Sequence, residues 1–236
     1  MSISEKLTTI AENEQKVFEA GKQAEYDAFW EAYQLNGNRT DYEHAFSYRG
    51  WTQKTLKPKY KIQPTRCPQM FYQLGWDDDN YGKIDLRAEA IGVEIDFSKS
   101  TNMNYCFQNA RISHLGVIDL TSCPNVNVTF CNMYWLNSIE KIIVNENNVF
   151  DSNCFAACAA YEIRFEGVIA SDIRLNYVSS LSKATIESVI NTFSPTVTGK
   201  TFTLKSAAVT NAFGSTNSDE WKNLIATKPN LTITLV

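Results

Sequence analysis

The sequence predicts an α+β chain in three parts: a long N-terminal helix, a short solenoid of stacked repeats, and an α/β C-terminal cap. Three observations lead there. The opening segment has no proline and is rich in good helix formers. Short apolar triplets then recur every 21–24 residues through the middle of the chain. After residue 180 the pattern alternates between helix and strand.

The 236 residues are long enough to bury a real core. With 44% hydrophobic residues, 12% aromatics and a net charge of −4, the chain is neither disordered nor nucleic-acid-binding in character. Two histidines, His44 and His114, leave little for histidine-based catalysis. By contrast, 21 Asn and 20 Thr are more than a helical enzyme of this size is expected to carry.

Residues 1–36 form the predicted helix, ending at Asn36-Gly37-Asn38. Ile3, Leu7, Ile10 and Val17 lie on one heptad-like track, with Glu14 and Gly21 interrupting it. At about 1.5 Å per residue the helix spans about 50 Å, more than a small core covers. It is therefore read as a self-associating coiled coil, the alternative being a helix lying against its own domain. Residues 37–69 read as a connector holding Pro58, Pro64 and Pro68, whose aromatics pack against something. Its lysines make a solvated linker and not a phosphate-binding face.

Residues 70–178 carry the repeat. The triplets Ile95-Asp96-Phe97, Ile118-Asp119-Leu120, Ile142-Ile143-Val144 and Ile163-Arg164-Phe165 alternate with the knobs Met70-Phe71, Cys106-Phe107, Phe130-Cys131 and Cys154-Phe155. Ile84-Asp85-Leu86 and Ile173-Arg174-Leu175 are further strand signals. Such a period matches a leucine-rich-repeat coil, which buries its apolar side only by stacking on neighbours. The Asn residues fall between the strands, where the chain must turn. The six cysteines read as reduced, buried thiols, because the opening residues lack the basic and apolar regions of a secretory signal. Residues 179–236 form the cap: an amphipathic helix over 183–193, a strand at Thr201–Lys205, helices at Ser206–Phe213 and Asp219–Thr227, and a strand at Leu231–Leu235. Asn217 or Ser218 is the expected N-cap of the last helix.

At residues 60–178, with the Met70-Phe71-Tyr72 knob, the sequence resembles BspA-type leucine-rich repeats. The opening Ser2–Asn13 is similar to the first helix of repeat proteins encoded in prophages of gut Firmicutes. The resemblance implies a phage tail-associated protein assembled in the bacterial cytoplasm, with its repeats facing a host surface. The alternative is a bacterial surface adhesin or interaction module.

Sites of chemistry are sparse. Cys154 and Cys158 lack a second ligand pair for zinc. Gly199-Lys200-Thr201 lacks the upstream glycine of a phosphate loop. Asp77-Asp78-Asp79-Asn80-Tyr81-Gly82 has the start of a calcium loop, but Ala88 stands where its bidentate carboxylate belongs. No cofactor or metal is expected, nor membrane insertion. A glycan hydrolase would need paired carboxylates, and Asp96 and Asp119 recur as framework positions, leaving Glu162. The expectation is a non-enzymatic binding or structural protein. Its partners are itself, as a homo-oligomer such as a trimer assembled through Ile3, Leu7, Ile10 and Val17, and a host-surface glycan or protein. Trp76, Tyr81, Tyr134 and Trp135 are the candidate partner-binding aromatics.

Overall fold

The computed structural model describes residues 3–47, 51–75, 84–178 and 180–236. In chain order the elements are α1 (Ile3–Tyr33), β1 (Ile84–Asp85), α2 (Ala88–Ile91), β2 (Ile112–Asp119), β3 (Asn125–Val126), β4 (Ser138–Val144), β5 (Val149–Phe150), β6 (Glu162–Gly167) and β7 (Ile173–Leu175). They continue as α3 (Lys183–Thr192), β8 (Lys200–Leu204), α4 (Ser206–Phe213), α5 (Asp219–Ala226) and β9 (Leu231–Leu235). Every strand pair is parallel. The sheets have the orders β1-β2-β4-β6, β3-β5 and β7-β8-β9.

This α/β arrangement corrects the expected α+β leucine-rich-repeat solenoid. A leucine-rich-repeat solenoid would run one parallel sheet from coil to coil, whereas these strands fall into three separate sheets, with five helices among the described residues. The four-stranded sheet stops at β6, where α3 covers it, and β7–β9 form another sheet with helices in their crossovers. The expected strand Ile95–Phe97 makes only an isolated bridge from Ile95 to Ile62. Among the described residues, the N-terminal helix packs on the body through its last turn and a half, from Phe29 to Tyr33.

The middle of the molecule is organised by ribbons of consecutive turns. Phe46, Phe71, Phe107, Phe130 and Phe155 stack face to face, with centroids 5.1, 5.4, 5.7 and 5.1 Å apart and ring planes within 11°. Those separations suit offset stacking. All five rings are buried, and each full burial contributes on the order of 2 kcal/mol. Phe46 belongs to the segment read as a connector, so its aromatics do pack.

Backbone hydrogen bonding explains why the rings align. Between Tyr105 and Ala110 the amides alternate in direction. Tyr105, Phe107 and Asn109 donate to Asn127, Thr129 and Cys131 of the next ribbon, at 3.0–3.1 Å. Cys106, Gln108 and Ala110 close turns onto Met103, Tyr105 and Phe107. The neighbouring ribbons repeat this: Gln69, Phe71 and Gln73 donate to Asn104, Cys106 and Gln108, while Phe130 and Asn132 donate to Cys154 and Ala156. Every amide of the run is thus satisfied, as burial demands. The alternation needs left-handed residues four apart, at Gln69 and Gln73, Tyr105 and Asn109, and Val128 and Asn132, with φ between 53 and 59°. Asn tolerates that region; Val128 is strained in it.

Asx turns use part of the Asp and Asn content. Asp85, Asp96, Asn102, Asp119, Asn145 and Asp151 each accept from the amide two residues on, at 2.9–3.1 Å. Asp96 is additionally held by Gln63 at 2.7 Å and by the Lys61 ammonium at 2.9 Å. Burial pushes its carboxyl upward, but the bonds from Ser98, Lys61 and Gln63 outweigh it and hold the group below the usual carboxylate range.

The exposed edge of β6 is closed by side chains of α3. Thr185 Oγ1 accepts from the Ile163 amide at 2.9 Å, and Ser188 Oγ accepts from the Phe165 amide at 2.6 Å. Ser188 and Thr192 in turn donate to the Phe165 carbonyl. This three- and four-residue helical spacing places hydroxyls where a further strand would otherwise bond. Ser182 and Ser218 cap α3 and α5.

Phe107→Ala should cost about 3–5 kcal/mol, read from denaturant unfolding, because it empties the middle of the ring column. Gly167 has φ +107°, and an added Cβ would lie 1.9 Å from the Val144 carbonyl oxygen. Gly167→Ala should therefore lower the unfolding midpoint. Gly21→Ala, in helix α1 with open space around it, should raise helicity instead. Asp96 stabilises the fold fully above its unfolded pKa, about 4, and loses that contribution as pH falls below it. Denaturant unfolding at pH 7 and pH 3 should show Asp96→Asn weaker than the parent at pH 7, with the gap narrowing at pH 3.

Candidate functional site

Two features stand out as places for function: the projecting helix α1 and the outward face of the four-stranded sheet.

Helix α1 is fastened at its C-terminal end. Trp30 is fully buried, with its ring 5.3–6.1 Å from those of Phe29, Tyr33, Phe46 and Trp51. Gln34, just past the helix, is buried and accepts from the Lys59 and Tyr60 amides at 2.9 Å while donating to the Tyr60 carbonyl. Glu31 receives the Tyr60 hydroxyl at 2.6 Å and pairs with Lys59. Bonding from Lys59, then Tyr60, holds its carboxyl below the usual range. Beyond this anchor every described residue from Glu12 to Ala28 is exposed, Val17 by 74%. Of the proposed track, the side chains of Ile3, Leu7 and Ile10 lie outside the described set; their backbone is helical. An apolar track on a solvent-facing helix gains by pairing.

On the sheet, register sets the outward side chains in rows. His114, Ser138 and Glu162 are neighbours across β2, β4 and β6. Glu140 and Arg164 stand two residues further along β4 and β6, on the same face by the two-residue period of a strand. Ser138, Glu140, Glu162 and Arg164, with Arg87 and Glu89 on one side and Ser182, Ala184, Thr185 and Ser188 on the other, line an open groove of about 770 Å³. Glu140, Glu162 and Arg164 are exposed, and no ion pair among the described residues joins them. Arg87 is engaged: its guanidinium lies 2.6 Å from Asp85 and 3.3 Å from Glu89.

His114 Nδ1 lies 2.8 Å from Ser138 Oγ, which invites comparison with a nucleophile and its base. Asp85 faces His114 in register, but its carboxylate is gripped by the Arg87 guanidinium and amide at 2.6–3.1 Å. No described hydrogen bond brings an acid to the imidazole, so the orienting part of a triad is missing. The six cysteines are free and buried. Burial pushes the Cys158 thiol up to about 12 and raises Cys106 and Cys154 as well, the opposite of a reactive thiolate. Asp96 and Asp119 are absorbed in Asx turns, and Glu162 alone of the three carboxylates weighed earlier faces the groove.

The aromatics divide. Trp76, Tyr81 and the acidic loop Asp77–Gly82 lie outside the described residues. Tyr134 is 55% exposed and donates to Asn132 Oδ1 at 3.1 Å. Its ring meets Trp135 edge-on at 5.9 Å, and the Arg111 guanidinium covers Trp135 at 5.1 Å. Trp135 is thus half-buried filler under an arginine, and Tyr134 is the accessible member. Reading the sequence missed Tyr161, half exposed immediately before β6, along with Glu140 and Arg164. The signal available was the alternation in Glu162-Ile163-Arg164-Phe165-Glu166, polar at every second position.

Among the described residues no helix is long and apolar enough to cross a membrane. Comparison with protein-family models, with curated proteins and with solved structures gives no match for this chain.

Proposed function

We propose that this chain is a non-enzymatic binding and structural protein that self-associates through α1 and presents its folded body to a surface partner. The observation that carries the proposal is the contrast along α1: a terminus bolted by Trp30, Gln34 and Glu31, followed outward by a helix whose described side chains are all solvent-facing. A firmly fixed base sets the direction in which the helix leaves the body, and a heptad-like track gives copies a seam to share. The setting expected from the sequence, a phage tail or a bacterial surface, belongs to this proposal; multivalent display favours binding to a repetitive surface.

Light scattering during size-exclusion chromatography is the test. The full chain should run at a multiple of 26.7 kDa, and Ile10→Asp combined with Val17→Asp should shift it to the single-chain mass with an unchanged near-UV circular dichroism spectrum. A single-chain mass for the parent protein at tens of micromolar would refute the assembly.

A further inference from the structure

We infer that the groove on the outward sheet face is a saccharide site, taking a neutral oligosaccharide. This rests on the binding-protein reading above and names where the partner sits.

The groove holds both signs of charge on rigid supports. Glu140, Glu162 and Arg164 are exposed and stand on adjacent strands, and no described ion pair consumes them. A carboxylate only accepts hydrogen bonds and a guanidinium only donates them. A sugar hydroxyl does both, so neighbouring hydroxyls on one ring can satisfy a carboxylate and an arginine together. An anionic ligand would meet Glu89, Glu140 and Glu162 with only Arg164 uncommitted, since Arg87 is already paired. A metal ion is not favoured either, because no described trio of His, Cys, Asp or Glu converges to hold one.

Two further features fit a sugar. Tyr161 is 50% exposed and lines a second hollow that shares Ser182 with the groove. Its half-exposed ring supplies an apolar face in that adjoining hollow, on which the C–H face of a pyranose can stack. The strand beneath is fixed on both sides, by β4 and by Thr185 and Ser188 of α3, so the backbone that carries Glu162 and Arg164 needs little ordering when a ligand arrives. A shallow site of this kind binds weakly one copy at a time. Joining copies through α1 multiplies the apparent affinity when the target repeats.

Saturation-transfer difference NMR on the full chain tests this with tetrasaccharides of glucose, galactose and N-acetylglucosamine, with tetragalacturonate as the acidic comparison and a lysine- and glutamate-containing octapeptide as the protein-like one. At least one neutral tetrasaccharide should give signal with a millimolar or tighter Kd. Arg164→Ala, Glu162→Gln and Tyr161→Ala should each weaken it at least fivefold, with unchanged unfolding midpoints. Repeating the titration on the Ile10→Asp, Val17→Asp protein separates the two readings: per-site affinity should persist even if assembly is lost. Absence of signal from all three neutral sugars would overturn the inference, as would binding indifferent to all three substitutions. Preference for tetragalacturonate or the octapeptide, with the same dependence on Arg164 and Glu162, would overturn the saccharide assignment.

Discussion

The phenylalanine column and the amide ladder beside it are the constraint on which the molecule depends. Phe71, Phe107 and Phe130 can lie parallel only if successive ribbons hold one register, and the amides of Gln69, Phe71, Gln73, Tyr105, Phe107 and Asn109 enforce that register bond by bond. The same register carries into the strands that follow each ribbon, so His114, Ser138 and Glu162 line up across the sheet. Stacking and hydrogen bonding cooperate here: a ring cannot slip without breaking amides on both flanks. The strained backbone of Val128 is held by its amide's bond to the Asp151 carboxylate at 3.2 Å and by the Cys131 amide on its carbonyl at 3.3 Å.

The sheet face that results is polar and backed by a buried apolar layer. Outward positions are free to vary because the inward ones, Ile139, Ile142, Ile163 and Phe165, hold the strands down. The edge that would otherwise invite another chain is closed by hydroxyls of α3. In the proposed function, helix α1 is the surface for self-association and the groove the surface for a ligand.

Local features were legible in the sequence. The helix Ser206–Phe213, the strand Leu231–Leu235 and the Ser218 N-cap follow from capping residues and short-range periodicity, and they fall where read. The Phe knobs were also visible, since their spacing reflects real stacking. The solenoid did not follow from them. A 21–24-residue period says that segments stack, but not that each one contributes a strand to a single sheet. Ile95–Phe97 has the composition of a strand, yet the chain between Ile84 and Ile91 takes the place beside β2 and leaves Ile95 only a bridge to Ile62. The groove was hidden for a different reason. Glu140, Glu162 and Arg164 come together through pairing 24 residues apart and a helix that closes the edge. Neither leaves a motif.

The ring column and its ladder should form the most stable unit of the molecule. Native-state hydrogen exchange of the full chain tests it most directly. The amides of Phe71, Phe107, Asn109, Phe130 and Asn132 should exchange slowest, in step with β2 and β4 and only through global unfolding. Exchange of these amides at the rate of exposed loops, while β8 and β9 stay protected, would contradict it.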